Sequence, residues 1–219
     1  MKKIIIIIVL FILTVSVTLI KKKLLDKKFY NYKDVYPFLE DLKKNRKNIK
    51  TEVNTIIKAD WKIWPESYLY KNKNGWKVFP LYGFDHWIHK NCIKCPNIYK
   101  IIKKIPNLKT ASLSRLTPGT KLEPHYGWAA LSNYVLRCQY GIIVYDNCIL
   151  GCEDEIVEMK ENKIIVFDDS KLHYAQNNGT KDRIVLILDI KRPDNVKIGE
   201  SVVNDTTELK QFIEYMKSY

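Results

Sequence analysis

The central part of the chain reads as an antiparallel β barrel or jelly roll with helices at its ends. Three observations predict this. Residues 110–192 hold "TASLSRL", "YVLRCQYGIIVY", "EIVEM", "KIIVFDD" and "RIVLILDIKR", short runs rich in β-branched and aromatic residues. Turn signals divide them, among them Pro118-Gly119, Asp146-Asn147 and Asn178-Gly179. No helical period interrupts them, and strands spaced this way without crossover helices close on themselves rather than form a parallel sheet.

Taken from the N-terminus, the first element is the apolar run Ile4–Ile20, "IIIIIVLFILTVSVTLI", between Lys2-Lys3 and Lys21-Lys22-Lys23. As a helix it would span about 25 Å, near the lower limit for a bilayer core. A cleaved signal peptide is the competing reading. The run is long for one, however, and "TLIKKK" offers no small-x-small cleavage site. The expectation is an N-terminal transmembrane helix, residues 1–20, holding the protein to a membrane by a single pass. Residues 21–60 follow as a basic juxtamembrane linker and a helix from Val35 to Ala59, with Leu42, Ile49, Val53 and Ile56 on one face. Residues 61–200 make the β domain, which includes a second helix beginning at Pro96 with Ile98, Ile101, Ile102 and Ile105 at helical spacing. Residues 201–219 close the chain as a third helix. Asp205 is its expected cap, answered by Glu208, and its apolar stripe is Leu209, Phe212, Ile213 and Met216.

The net charge of +13 is uneven: residues 1–50 carry 13 Lys/Arg against 4 Asp/Glu, and residues 51–219 carry 24 against 20. The folded part is thus only mildly basic, which argues against a nucleic-acid partner. Charge beside an apolar run suits a membrane surface. The lysines after the run favour a cytosolic domain, whereas sequons at Asn178 and Asn204 suit a lumenal one, so the side of the membrane stays open. Among the five cysteines, "CIKC" (92–95) and "CILGC" (148–152) have spacing that zinc can use; plain buried thiols are the simpler reading.

Two histidines flank the β runs: His125 in "PHYG" and His173 in "FDDSKLHYAQ". The usual non-haem iron site adds a carboxylate to two histidines. Its common place, two residues after the first histidine, is here Gly127. Ten residues past His173, Arg183 opens the next run. An arginine facing into an apolar barrel requires an anionic partner, and its planar fork suits a carboxylate. Two histidines and an inward arginine form a constellation for a metal and a carboxylate cosubstrate. Asp168 and Asp169 are read as turn formers whose hydrogen bonds orient His173.

"WKVFPLY" (76–82), "SRLTPGTKLEPHYG" (114–127), "LRCQYGI" (136–142), "KIIVFDDSKLHYAQN" (163–177) and "DRIVLILDIKRP" (182–193) together resemble the aspartyl/asparaginyl β-hydroxylase family of iron(II)/2-oxoglutarate-dependent dioxygenases. The resemblance implies a double-stranded β-helix core, jelly-roll and cupin-like. It also implies that the glycine is expected, with iron held by His125 and His173 alone. It places 2-oxoglutarate against Arg183 and Ser114, with Arg137, Gln139 and Tyr82 in the same pocket. Gln139 stands where the family has histidine, and Tyr82 where it has tryptophan. The implied reaction consumes O2 and 2-oxoglutarate and hydroxylates a C–H bond, by resemblance the β-carbon of Asp or Asn in a protein or peptide. A lipid acyl chain or small molecule is the alternative substrate. A jelly roll that only binds a ligand is the alternative to an enzyme.

Overall fold

The computed structural model describes residues 24–218, so the expected anchor lies outside the described residues. Among these, no helix is long and apolar enough to cross a membrane. The chain divides into two units. In the small one, Leu25 pairs in parallel with Val196. The large one, from Lys27 to Arg192 and from Ile198 onward, holds every residue of the site described below.

The large unit contains two antiparallel sheets. The first runs β1 (Phe29–Tyr30), β9 (Ile164–Phe167), β6 (Val135–Ile143), β11 (Arg183–Lys191), β5 (Leu108–Leu116), β3 (Trp76–Gly83) and β2 (Lys62–Ile63), with β4 (His86–Trp87) beside β3. The second runs β10 (His173–Asn177), β7 (Cys148–Cys152) and β8 (Glu155–Glu158). Residues 121–125 extend it: Lys121 pairs with Gln176 and His125 with His173. Counted from β5, with residues 121–125 as second, the strands lie in the order 1-8-3-6 in one sheet and 2-7-4-5 in the other. That is a jelly roll, one of the two expected solutions.

The facing sheets close over a common core. Trp76, Val78, Leu116, Phe167 and Val185 from the first meet Cys148, Leu150, Cys152 and Ala175 from the second. Helices cover the outer face of the large sheet, so β11 is buried almost throughout and reads as an unbroken apolar run. The expected helix from Val35 to Ala59 is broken. Its regular parts are α1 (Glu40–Lys44) and α2 (Arg46–Thr55), parted at Asn45, whose side chain turns back to the Asp41 carbonyl. Leu42, Ile49, Val53 and Ile56 are buried as expected.

The next helix, α3, spans Pro96–Ile102 and stops short of Ile105. Its start depends on Glu52, a buried acid of α2. One carboxylate oxygen accepts from the Asn97 backbone and side chain, the other from the Ile98 backbone at 3.0 Å. A carboxylate at a helix N-terminus satisfies orphan N–H groups and opposes the helix dipole. The last helix, α4, spans Thr207–Lys217 and is capped by Thr206 rather than Asp205: the threonine hydroxyl accepts from Leu209 N at 3.1 Å.

The cysteines are all buried, none is disulfide-bonded, and burial raises the thiols' pKa values. Among the described residues, no group of three or more His, Cys, Asp and Glu is arranged to hold a metal ion, so the zinc reading falls.

Replacing Glu52 with alanine removes a charged acceptor from three donors. A loss of about 2 kcal/mol is expected, lowering the melting temperature by roughly 4–8 °C; Glu52→Gln retains part of it. Thermal unfolding of the three proteins checks this.

Candidate metal and cosubstrate site

The two histidines meet through their backbones. His125 N donates to the His173 carbonyl at 2.9 Å, and His173 N donates to the His125 carbonyl at 2.8 Å. Such a reciprocal pair puts two side chains on one face of a sheet, and the ring centroids lie 4.3 Å apart. Each Nδ1 contacts the carbonyl two residues earlier, Glu123 at 2.7 Å and Lys171 at 2.9 Å. A carbonyl only accepts, so each Nδ1 carries the proton and each Nε2 keeps a lone pair. Burial pushes both rings down to about 4, so both are neutral at pH 7. Two neutral imidazoles oriented through Nδ1 are a donor set that suits iron(II).

Gly127 is required by its neighbours. A Cβ there would run into the Asp169 carboxylate, and would lie 2.7 Å from the Ser132 Cβ. Asp169 therefore fills the space where a carboxylate at residue 127 would stand. It is 1% exposed. Its Oδ1 lies 3.3 Å from His173 Nε2 and 2.6 Å from Arg137 Nη1. Burial raises its pKa to about 6 despite the opposing charge of Arg137. Asp168 plays a different part, in a buried ion pair with Arg192 and hydrogen bonds to Ser170.

Arg183 reaches the same cavity as the histidines, together with Ser114, Arg137 and Gln139. The register explains why. Arg183 pairs with Leu116, Val185 with Ser114, Ile187 with Gln139 and Asp189 with Arg137. These alternate residues share one face of the first sheet. Arg183 is 2% exposed. Among the described residues it meets no carboxylate, and its Nε is buried without a partner. Burial lowers its pKa to about 10. Its one hydrogen bond runs from Nη2 to Gln139 Oε1 at 2.5 Å. Arginine only donates, so the amide oxygen of Gln139 must be the end that faces it. Gln139 thus steadies Arg183 from the side. Ser114 is also buried, and its oxygen accepts from Trp76 Nε1 at 3.0 Å. The hydroxyl proton of Ser114 is then free to donate. A carboxylate ligand fits this end of the cavity.

Arg137 and Tyr82 sit otherwise than expected for cosubstrate binding. Arg137 lines the cavity, but its Nε and Nη2 hold Asp189 at 2.7 and 3.0 Å while Nη1 holds Asp169. Burial opposes its charge; the two carboxylates outweigh that and raise its pKa above the usual value. Tyr82 shares no wall with the histidines. It packs on Trp87 with centroids 4.5 Å apart, and its hydroxyl donates to Asp85 at 3.4 Å. The aromatic residue that does reach Ser114 is Trp76, which sequence reasoning missed. It precedes Val78 by two residues on the inward face of β3, so the strand period could have found it.

Fold and geometry together define a class: a jelly roll that sets two neutral imidazoles opposite a buried arginine lacking a carboxylate partner. Comparison with known proteins gives the family. The family model described as Aspartyl/Asparaginyl beta-hydroxylase matches residues 43–193, and the chain belongs to that family. Over 167 residues the chain is 29% identical to the Rhizobium tropici "Ornithine lipid ester-linked acyl 2-hydroxylase", covering 72% of this chain and 58% of the relative. It is 31% identical to the Xenopus tropicalis "Aspartate beta-hydroxylase domain-containing protein 2" over 77% of this chain and 48% of the relative. For the human "Aspartyl/asparaginyl beta-hydroxylase" the values are 26%, 71% and 21%. The chain therefore spans 58% of the first relative and smaller parts of the other two.

Two substitutions test the geometry. Gly127→Asp, which would restore the usual iron carboxylate by sequence, is expected to weaken iron binding and lower the melting temperature, because Asp169 occupies the space. Isothermal titration with iron(II) under argon checks it. Gln139→Glu gives Arg183 a permanent carboxylate and is expected to weaken 2-oxoglutarate binding at least tenfold while leaving iron affinity within about twofold; titration with each ligand checks it.

Proposed function

We propose that the protein is an iron(II)/2-oxoglutarate-dependent dioxygenase. The observation that carries this reading is the buried Arg183, without a carboxylate of its own, opening on the same cavity as two neutral histidines. Iron(II) at such a site supplies the oxygen chemistry, in which 2-oxoglutarate and O2 become succinate and CO2 and one oxygen atom enters a substrate C–H bond. His125 and His173 hold the metal. Arg183 and Ser114 hold the far carboxylate of 2-oxoglutarate. Gln139 and Trp76 keep those two groups in place. Arg137, bound to Asp169 and Asp189, offsets the buried negative charge beside the metal.

The family's description points to an Asp or Asn β-carbon in a protein or peptide as the substrate. A lipid acyl chain is the second reading, favoured by the named activity of the Rhizobium relative and by the apolar run Ile4–Ile20. That run we read as a single-pass anchor, which places the domain at a membrane surface. Both substrates demand the same metal and the same cosubstrate.

The test is succinate formation by the full chain in lipid nanodiscs, supplied with iron(II), 2-oxoglutarate and O2. His125→Ala and His173→Ala should reduce succinate to background. Arg183→Ala should raise the KM for 2-oxoglutarate by roughly ten- to a hundredfold, and Arg183→Lys should fall between. Normal turnover by both histidine variants would overturn the assignment.

A further inference from the structure

Beside the metal cavity lies a chamber that the chemistry above leaves unused. Trp64, Trp76, Val78, Ile187, Leu209 and Phe212 are among the residues that line it. Its volume of about 110 Å³ is several times what one water needs. It adjoins the cosubstrate cavity: Trp76, Arg137 and Ile187 border both. Trp64, Trp76 and Trp128 also border the wider mouth around His125.

The polar groups of the chamber are already committed. The three indole N–H groups point away from it, those of Trp64 and Trp128 to Glu66 and that of Trp76 to Ser114. Arg137 and Asp189 satisfy each other, and Thr110 donates to Asp189 at 2.6 Å. Ser112 donates to the Leu113 carbonyl. Among the described residues on the wall, only His86 has a buried side-chain nitrogen, Nε2, without a partner. A peptide entering here would bury amides with almost nothing to bond, each weakening binding roughly tenfold or more. An aliphatic chain loses nothing, and each buried methylene strengthens binding roughly fourfold.

We propose that this chamber is a binding site for the aliphatic chain of an acyl substrate, which lies between Trp64 and Ile187 so that its carbons pass beside the histidine pair. This deepens the oxygenase reading and rests on it for the chemistry, but not for binding. The occupant is a long acyl chain, whether on a membrane lipid or a free fatty acid. Leu209 and Phe212 bring α4 over the chamber. The helix is fastened there by Glu66, which accepts from Thr206 at 3.0 Å as well as from both indoles.

The experiment is photolabelling of the full chain in nanodiscs, without iron or 2-oxoglutarate. One arm uses palmitic acid carrying a diazirine. The other uses the same acyl group on phosphatidylethanolamine. The label is located by mass spectrometry of peptides, and succinate formation is measured in parallel. The expected result is label on peptides spanning 64–88 and 207–217, competed by unlabelled palmitate and not by an aspartate-containing peptide. Leu209→Trp should cut labelling at least tenfold. Leu131→Trp fills the chamber from another segment and serves if the first variant fails to fold. The arm with the stronger label identifies the source of the chain. Label outside the chamber, or label unchanged by both fillings, overturns the proposal even if succinate forms. Label in the chamber with no 2-oxoglutarate binding sustains the chamber and removes the oxygenase.

Discussion

The reciprocal backbone pairing of His125 with His173 is the interaction on which the rest of the site depends. Some fifty residues separate the two in sequence, and only closure of the second sheet brings them together. Once paired, their rings must share a face. Each ring is then turned by the carbonyl two residues before it, which leaves the two Nε2 atoms unprotonated. The same closure brings Gly127 N to the Asp169 carbonyl at 2.8 Å, so close that residue 127 has no room for a side chain. The glycine is therefore a consequence of where Asp169 stands, not a ligand lost from an otherwise ordinary site.

The inward face of the first sheet buries two arginines and treats them oppositely. Arg137 is held by two carboxylates, one on β11 and one beside His173. Arg183, two pairs along the sheet from the Ile187–Gln139 pair, has only an amide oxygen. Removing a guanidinium from water without a counter-charge costs several kcal/mol. A fold keeps such a residue where a ligand completes it, and a carboxylate is the simplest ligand that does so. The contrast between the arginines is thus more informative than either one alone.

Much of this was legible in the sequence, and the failures have physical causes. The runs at 110–116, 134–145 and 183–192 became β5, β6 and β11 because β-branched residues mark strands buried on both faces. Three of the longer strands escaped. Pro80 disguises β3, since proline is disfavoured inside a sheet; it is tolerated here beside a break in register between Pro80 and Tyr82. In β7, "CILGC" suggested a metal motif, whereas Gly151 lies under the ring of its cross-strand partner Tyr174, with which a Cβ would collide. In β10, "HYAQN" carries too few apolar residues to signal a strand, although its alternate residues His173, Ala175 and Asn177 are buried. The histidines and Arg183, which share one cavity, were singled out from residue type and spacing. That Arg137 is already paired, and that Tyr82 packs elsewhere, depended on cross-strand partners that spacing alone does not give.

Glu66 connects the parts that sequence left separate. It is 3% exposed, and among the described residues its hydrogen-bond partners are Trp64, Tyr68, Trp128 and Thr206, none of them a cation. These come from the segment before β3, from the loop after His125 and from the cap of α4. A buried carboxylate needs hydrogen-bond donors or a counter-charge around it, so each of these segments is held by the demand of the same acid. Satisfying that demand turns the indole N–H groups of Trp64 and Trp128 outward and leaves their carbon faces to the interior. The two rings stack, with Trp64 also stacked on Trp76 at 4.7 Å. One polar residue thereby makes an apolar wall. The wall borders both the mouth at His125 and the chamber under α4.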